Sequence, residues 1–467
     1  MRLSLPIPCA VLFLLGACAT QPAYRPAAIA APAGWANAAP AMATTVDRDG
    51  WWTALHDPVI DALVAAALRD NPTLAEAAAR TDQARALLAA RGAQQLPSVN
   101  GTAGLTRSRD RAGGNTGSVS QTSASLGASL SWEIDLWGRV REGKVAARSR
   151  LDARAADTES ARLSVIGDIA DTVLALRACE IALEIRDRDI ASREAELEIG
   201  RARLSFGNVA AVTVVASESN LAATRTDRIV QAETCQRLLD SLVALSGVGV
   251  DPIRALLPKD DANPEARLPV PPPFIPALPA TVLLGNPGVV AAEREVAARW
   301  SEIAIARAER LPRLDLAAML TGQWIRALGS NSSYASNSVG VGLTGPLVDG
   351  GAGAATVRGA EAAYREAMAQ LAGTIRIAVR DIEDGLAAQQ SALARIETSK
   401  AALAAARFAF QANEARWRAG AIAQYELEEA RRRFRSAQEG VVVAMADRAR
   451  AWVALVRRTG PTPGARG

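Results

Sequence analysis

Histidine is almost absent from this chain of 467 residues, which contains only His56. Because histidine is the side chain most used for proton transfer near neutral pH and a common metal ligand, this scarcity argues against acid–base and metal chemistry. The sequence also lacks a glycine-rich phosphate loop and a CxxC motif. Its carboxylates fall on predicted helix faces rather than in an apolar pocket that would shift a pKa. We therefore expect no enzyme, no metal site and no organic cofactor.

Aromatic residues and an excess of one charge are also missing. Phe, Trp and Tyr make up 4% of the residues while alanine is abundant, a composition that favours long helices over a compact enzyme core. The 53 basic and 49 acidic residues leave a formal net charge of only +4. This balance argues against nucleic acid as a partner.

Long apolar runs are absent after the N-terminus, so the sequence predicts no transmembrane helix. The first residues combine Arg2 with a short apolar stretch that ends in Leu15-Gly16-Ala17-Cys18. This pattern is typical of a secretory signal peptide. Its end is similar to the bacterial lipobox, which implies a covalent lipid such as palmitate on Cys18, and Ala19 after it implies sorting to the outer membrane. The alternative is an ordinary signal with an incidental cysteine.

The chain repeats itself. Asn71-Pro72 is followed by Leu96-Pro97, and Asn286-Pro287 is followed by Leu311-Pro312 at the same spacing. Matches of this kind at fixed spacing indicate a duplicated structural unit.

An acidic box repeats in the same way. DIAD at 168–171 precedes Gly207 by the same interval in sequence by which DIED at 381–384 precedes Gly420. Two Asp pairs could form catalytic or metal sites, but their position on a repeated helix favours matching points of a duplicated scaffold.

The repeat defines the domain organisation. Eight prolines in 258–279 predict an extended, semi-rigid connector between the two halves. The predicted segments are a signal peptide (1–17), a lipidated N-terminal tether (18–50), a first repeat (51–250), a proline-rich connector (251–280), a second repeat (281–460) and a disordered tail (461–467).

Each repeat predicts a very long helical hairpin. Apolar residues recur every seven positions over 169–204 and over 375–417, which indicates a left-handed coiled coil. The first helix is predicted from about 140 to 205, roughly 100 Å long at 1.5 Å per residue. The chain then reverses at Gly207 and, in the second half, at Gly420.

Each repeat also predicts two β-strands. Residues 122–136 alternate between apolar and small polar side chains, 339–344 do the same, and weaker alternation follows each Leu-Pro pair. Strands of about ten residues with one apolar face suit a transmembrane β-barrel, although a soluble pair of hairpins is the alternative. Because the smallest barrels have about eight strands, four strands in lipid require oligomerisation, as a dimer or as a trimer.

Cys179 and Cys235 lie equally far before and after Gly207 in sequence, so a hairpin that turns there places them at the same height. A disulfide is predicted, since an oxidising periplasm permits it. Two buried free thiols are the alternative.

Taken together, several features are similar to the TolC-like outer-membrane factors, in particular the NodT/OprM-type lipoproteins of tripartite efflux systems. They are the Cys18 lipobox, the segment Trp51 to Pro58, the paired Asn-Pro and Leu-Pro motifs, the strand end Asp135-Leu136-Trp137-Gly138 and the two hairpin tips. The resemblance covers essentially all of the mature chain. It implies a mixed α and transmembrane β fold, in which a homotrimer forms an outer-membrane β-barrel of twelve strands continued by a periplasmic α-barrel of twelve helices.

The resemblance implies a passive exit duct for small molecules, anchored by lipid in the outer membrane of a Gram-negative bacterium and extending into the periplasm. Its implied partners are a periplasmic membrane-fusion adaptor and an inner-membrane efflux transporter, for which the RND type is expected. The tips at Gly207 and Gly420, with Arg203 and Arg416 beside them, are expected to contact the adaptor.

A gate is implied at the second tip. Family members carry acids six and nine residues after the tip glycine, here Glu426 and Glu429, and an aromatic residue three before it, here Trp417. Three copies would form carboxylate rings that select for cations. Ile422 replaces a basic residue of the family, which puts a gate salt bridge in doubt. The alternative is a solvated, glutamate-rich helix face.

Two other functions fit part of the pattern. One is the outer-membrane component of a type I protein secretion system, and the other is a structural coiled-coil lipoprotein without a pore. The alternating strands argue against the second, since a spacer does not need them. Five methionines and one histidine favour organic substrates over metal ions.

Overall fold

The computed structural model describes residues 22–26, 31–38, 50–111, 118–257 and 264–460. The predicted signal peptide, the lipid site Cys18 and the predicted tail lie outside the described residues. The chain divides into two compact units. The first contains Met1–Ala28, Ala79–Ala156 and Ala291–Gly373, and the second contains Ile29–Ala78, Asp157–Val290 and Thr374–Gly467.

The helices confirm the predicted duplication. They are α1 (Pro58–Asp70), α2 (Pro72–Ala93), α3 (Arg139–Ser205), α4 (Ala211–Ser246), α5 (Val250–Leu256), α6 (Pro279–Gly285), α7 (Pro287–Ala308), α8 (Ala352–Arg418) and α9 (Gln424–Thr459). Helices α2 and α7 have 22 residues each, α3 and α8 have 67 each, and α4 and α9 have 36 each. Each half therefore contains the predicted long hairpin, α3–α4 in the first and α8–α9 in the second.

The two Asn-Pro motifs perform the same task in both halves. The side-chain oxygen of Asn71 accepts a hydrogen bond from the Thr73 N–H (2.9 Å), and its amide donates to the Leu245 carbonyl (2.8 Å). Asn286 accepts from Val289 in the same way and donates to the Arg458 carbonyl (3.0 Å). Each asparagine thus caps one helix and satisfies a carbonyl near the end of the returning helix.

Four antiparallel strands form one sheet in the order β1 (Ser98–Arg111), β2 (Ser118–Ile134), β3 (Arg313–Ala327) and β4 (Ser330–Thr344). Directly paired residues project from the same face of a sheet. Leu126 pairs with Ala103 on β1 and Gly322 on β3, and Leu316 pairs with Trp132 and Val341. The predicted apolar positions therefore share one face.

This apolar face is uncovered within one chain. Its exposed side chains include Leu105 (76%), Leu126 (69%) and Val339 (78%). Among the described strands, β1 and β4 each pair with one neighbour only, which leaves two open edges. No helix in the described part of the chain is long and apolar enough to cross a membrane.

The second unit contains the main apolar core. Trp51 and Trp452 are fully buried, with ring centroids 6.0 Å apart. The Asp57 carboxylate caps α1 through the N–H groups of Val59 and Ile60, and the buried Arg177 donates to it at 2.8 Å. The segment from Trp51 to Pro58 is thus a structural anchor of this core.

Parts of the predicted tether and of the predicted connector are packed within the second unit. The Trp35 indole N–H donates to the Ala277 carbonyl (2.7 Å), and the N–H groups of Ala36 and Asn37 donate to the Glu383 carboxylate (2.7 and 2.9 Å). In the connector, Pro264–Arg267 forms a 3-10 turn and Phe274 is buried. Residues 31–38 are therefore held in place by the second unit, because the Trp35 indole N–H and two backbone N–H groups have acceptors there.

Candidate functional site at the hairpin tips

The two hairpins end in the same backbone turn. Gly207 and Gly420 have φ angles of +74° and +73°, a region that side chains with a Cβ rarely adopt. The Gly207 N–H donates to the Leu204 carbonyl (2.9 Å), and the Asn208 N–H donates to the Arg203 carbonyl (2.8 Å). The second tip repeats both bonds at the matching positions, at 2.9 and 2.8 Å. These glycines end α3 and α8 in Schellman motifs.

A side chain of the first tip holds the second tip. The guanidinium carbon of Arg203 lies 4.7 Å from the ring centroid of Trp417, and Nη2 donates to the carbonyls of Trp417 (3.3 Å) and Arg418 (3.2 Å). The cation thus stabilises both the ring and the C-terminal end of α8. Trp417 is only 5% exposed. Arg416, at the position that matches Arg203, is exposed.

A groove of about 490 Å³, lined by both polar and apolar side chains, lies between the two tips. Its lining residues include Glu196, Asn208, Thr213, Trp417, Gly420 and Gln424. The groove offers backbone and side-chain hydrogen-bonding groups from both hairpins at once, so a protein that binds there would contact both hairpins.

The two acids predicted for the gate have different environments. Glu426 is exposed, and among the described residues it has no ion-pair partner. Glu429 is paired on its own helix with Arg432 (2.5 Å) and Arg433 (2.9 Å). The hydrogen bonds from Arg432 and then Arg433 lower the pKa of Glu429 below its usual value. Of the two predicted gate acids, Glu426 is therefore the one whose carboxylate is not neutralised by a neighbouring arginine.

Close to the tips, α3 and α9 share a buried charge network that no sequence motif predicts. On α3 the network contains Asp189, Arg193 and Glu196, and on α9 it contains Glu428, Arg431 and Arg435. All six except Arg435 have side chains no more than 10% exposed. The three acids balance the three bases, so the network can be buried without excess charge.

Arg431 lies at the centre of this network. It contacts Glu196 directly, lies 3.2 Å from Glu428 and donates to the Ser192 hydroxyl (3.3 Å). Arg193 connects the same Glu428 (2.6 Å) to α3. Burial lowers the pKa of Arg431 to about 10; the charge of Arg193 acts in the same direction and Asp189 opposes it. Charges at helical spacing on both helices were visible in the sequence, but nothing in it showed which faces meet.

The acid boxes are structural, and they differ from each other. In the first box, Asp168 accepts a hydrogen bond from Arg457 (2.6 Å), and Asp171 accepts two from Arg450 (2.7 and 2.9 Å), which joins α3 to α9. In the second box, Asp381 and Asp384 face Arg380 of their own helix at 2.6 and 4.0 Å.

The predicted disulfide pair also lies in the first hairpin. Cys179 on α3 and Cys235 on α4 are joined in a disulfide, with Cα atoms 5.6 Å apart. Both belong to the apolar core of the second unit. Among the described residues, no group of three or more His, Cys, Asp or Glu side chains could hold a metal ion.

Comparisons with known proteins agree with this architecture. The family model described as "Outer membrane efflux protein" matches residues 63–248 and 278–461. The pyoverdine export outer membrane protein OpmQ of Pseudomonas putida is 30% identical over 454 residues, 95% of this chain and 94% of that protein. The outer membrane protein OprJ of Pseudomonas aeruginosa is 28% identical over 407 residues, 84% of this chain and 82% of that protein.

A solved structure of the outer-membrane channel OprN superimposes with a TM-score of 0.83 at 25% identity, over 94% of this chain and 98% of that one. The two matched segments of the family model each contain one complete hairpin of the duplicated fold. The chain belongs to the outer membrane efflux protein family, and it is an outer-membrane efflux channel of the TolC-like type.

Proposed function

We propose that three copies of this chain form the passive exit duct of a tripartite efflux system, and that Glu426 sets the charge of its periplasmic opening. The supporting observation for the trimer is the sheet, which has an exposed apolar face and two open edges. In lipid, each unpaired backbone group costs several kcal/mol, so the edges must pair with other copies. Three copies supply twelve strands, enough to enclose an aqueous channel.

The supporting observation for the opening is the contrast between two acids. The carboxylate of Glu429 is neutralised by two arginines, whereas Glu426 is exposed beside the second tip. In a trimer, Glu426 forms a ring of carboxylates. Rings of this kind bind cations and exclude anions, and mutual repulsion limits how closely they approach.

Planar-bilayer conductance of the purified trimer tests this function, with Glu426→Gln compared with Glu429→Gln as the matched control. We expect a cation-selective conductance that loses selectivity in Glu426→Gln and keeps it in Glu429→Gln. Equal cation selectivity in the unaltered protein and both variants would contradict the role of Glu426 in the opening and leave the duct function standing. Folded, inserted protein without any conductance would overturn the duct itself and favour a structural lipoprotein.

The surface of the hairpin tips is where we expect the partner proteins to bind. The groove between the hairpins and the exposed Arg416 are the surface for a periplasmic adaptor, which connects the duct to an inner-membrane transporter of RND type. The transporter supplies the energy and selects the cargo, so the duct itself catalyses no reaction. The scarcity of methionine and histidine favours organic cargo over metal ions.

The lipid on Cys18 is a second anchor beside the strands. One acyl chain alone gives only reversible membrane binding, whereas several chains on a lipidated cysteine bind firmly. Intact-mass analysis of the mature protein tests this anchor. The expected result is an N-terminus at Cys18 with an added lipid mass that is lost in Cys18→Ser.

A further inference from the structure

The second unit contains a cavity that neither the strands nor the hairpin tips contribute to. It has a volume of about 250 Å³ and lies between four segments of the chain. These are the N-terminal segment at Asn37, the connector at 271–275, helix α8 at 386–393, and helix α9 at Arg448 and Trp452. All four segments belong to the same compact unit, so the cavity is formed within one packed body.

The inner wall of the cavity is apolar and rigid. Its most buried side chains are Trp452 (0% exposed), Leu386 (4%) and Phe274 (7%), and Pro271 and Pro272 of the connector lie beside them. Aromatic rings and prolines have few freely rotating bonds, so this wall keeps its shape without a ligand. An apolar cavity of about 150 Å³ is enough to bind benzene, so this cavity has room for a larger aromatic molecule.

A buried donor at this wall lacks an acceptor. The indole nitrogen of Trp452 is buried, and among the described residues it has no hydrogen-bond partner. A buried donor that is left unpaired is costly, because it has lost its hydrogen bond to water without replacing it. A ligand that brings an oxygen to the cavity would supply the missing acceptor.

Arg448 adds an unpaired positive charge to the same cavity. Its side chain is half-buried, and its Nη2 donates only a long hydrogen bond (3.4 Å) to the Pro271 carbonyl. Within the described ranges of the chain Arg448 has no carboxylate partner, whereas the preceding Asp447 pairs with Arg395 at 2.8 Å. A guanidinium matches the geometry of a carboxylate and binds it through two parallel hydrogen bonds.

The remaining polar groups at the cavity are amides. Gln389 and Gln390 line it from α8, and the Gln390 side chain donates to the Asn37 carbonyl at 2.6 Å. No acid is found among the described residues that line the cavity. The site therefore favours an anionic ligand over a cationic one.

We propose that this cavity binds an aromatic carboxylate of one or two rings, with its rings beside Phe274 and Trp452 and its carboxylate on the guanidinium of Arg448. An oxygen of the ligand accepts the hydrogen bond of the Trp452 indole. The bound ligand connects the N-terminal segment and the connector to α8 and α9, so it stabilises the second unit in proportion to its occupancy. The site lies within one chain and does not depend on the trimeric duct.

Isothermal titration calorimetry with 2-naphthoate tests the site on the full-length, detergent-purified protein, after subtraction of the heat of mixing with detergent alone. We expect saturable binding of one ligand per chain, and about tenfold weaker binding in Arg448→Gln, because a charge-assisted hydrogen bond is lost. Arg376→Gln changes an exposed arginine of α8 that does not line the cavity, and it should bind like the unaltered protein.

Two further comparisons separate the charge from the apolar wall. The neutral 2-naphthalenemethanol should bind the unaltered protein about tenfold more weakly than 2-naphthoate does. Leu393→Trp puts a larger side chain at a half-exposed position of the lining, and it should weaken binding of both compounds. The midpoint of thermal unfolding should rise with 2-naphthoate in the unaltered protein and in Arg376→Gln, and should stay unchanged in Leu393→Trp.

Folding of each variant is checked by circular dichroism and its oligomeric state by light scattering. Folded protein that shows no saturable binding, or equal binding in the unaltered protein, Arg448→Gln and Leu393→Trp, would overturn the proposed site. Equal affinity for the acid and the alcohol would overturn the assignment of a carboxylate ligand. Each of these outcomes leaves the trimer and its conductance untouched, so the site and the duct can fail separately.

Discussion

The guanidinium of Arg203 lies over the indole ring of Trp417, 4.7 Å from its centroid, and its Nη2 also donates to the Trp417 carbonyl. One residue of the first tip thus holds both the side chain and the backbone end of the second. The position that matches Arg203 in the second half is Arg416, which is exposed. The duplicated hairpins are therefore joined at their tips by one arginine, and the other faces solvent.

Arg203→Ala is expected to loosen the second tip. The lost cation–π contact is worth about 1 to 2 kcal/mol at a desolvated site, and the α8 carbonyls lose their donor as well. We expect larger conductance in planar bilayers and faster proteolysis beside Gly420. Arg416→Ala is the matched control and should resemble the unaltered protein in both measurements. Equal effects of the two substitutions would contradict a holding role for Arg203.

Removal of one member of the buried charge network should destabilise the protein strongly. Glu196→Gln leaves Arg431 without its closest carboxylate, and breaking a buried pair on one side costs about 3 kcal/mol. Thermal unfolding followed by circular dichroism measures the loss. Glu198→Gln, which removes an exposed pair with Arg201, serves as the control and should change the midpoint little. If the two variants unfold at the same temperature, the network contributes no more than a surface pair.

Reduction of the Cys179–Cys235 bond should destabilise the first hairpin. The bond closes a loop with a sequence separation of 56 residues, for which chain-entropy reasoning gives about 4 kcal/mol. Cys179→Ser/Cys235→Ser is expected to unfold at a lower temperature than the unaltered protein and to be insensitive to reductant. Detection of two free thiols by intact-mass analysis of the exported protein would contradict this prediction.

The first unit should lose stability in acid through Glu302. Burial alone would raise the pKa of this carboxyl, but its bonds to Arg150 and Arg299 outweigh burial and hold the pKa below its usual value. A carboxyl with a lowered pKa in the folded state stabilises the fold above its unfolded pKa, near 4.5. That contribution is lost as the pH falls through the folded pKa.

Glu302→Gln removes this contribution at neutral pH, at a cost of about 1 kcal/mol for a partly exposed pair. Unfolding midpoints measured from pH 7 down to about pH 3 should therefore fall less steeply in Glu302→Gln than in the unaltered protein. Parallel pH profiles would show that Glu302 titrates alike in the folded and unfolded states.

Much of the architecture follows from local patterns. The seven-residue repeat of apolar side chains predicts the helical hairpins, and the alternation in 122–136 predicts the strands. Both patterns can be read from the sequence because they depend on residues that are close neighbours along the chain. The tips were predictable for the same reason, because a positive φ angle favours glycine at Gly207 and Gly420. Equal spacing around Gly207 was enough to bring Cys179 and Cys235 to one height.

Tertiary structure decided which faces meet. Periodicity places Glu429, Trp417 and Arg203 near the tips. It does not show that two arginines neutralise Glu429, or that the Arg203 guanidinium lies over the Trp417 ring. The charge network between α3 and α9 depends on the rotation and register of two helices that lie in different halves of the chain. Sequence by itself determines which elements form, because backbone propensity and side-chain period are local. Packing of distant surfaces determines which charges are free to act, because a charge is neutralised only by the groups that the fold places beside it.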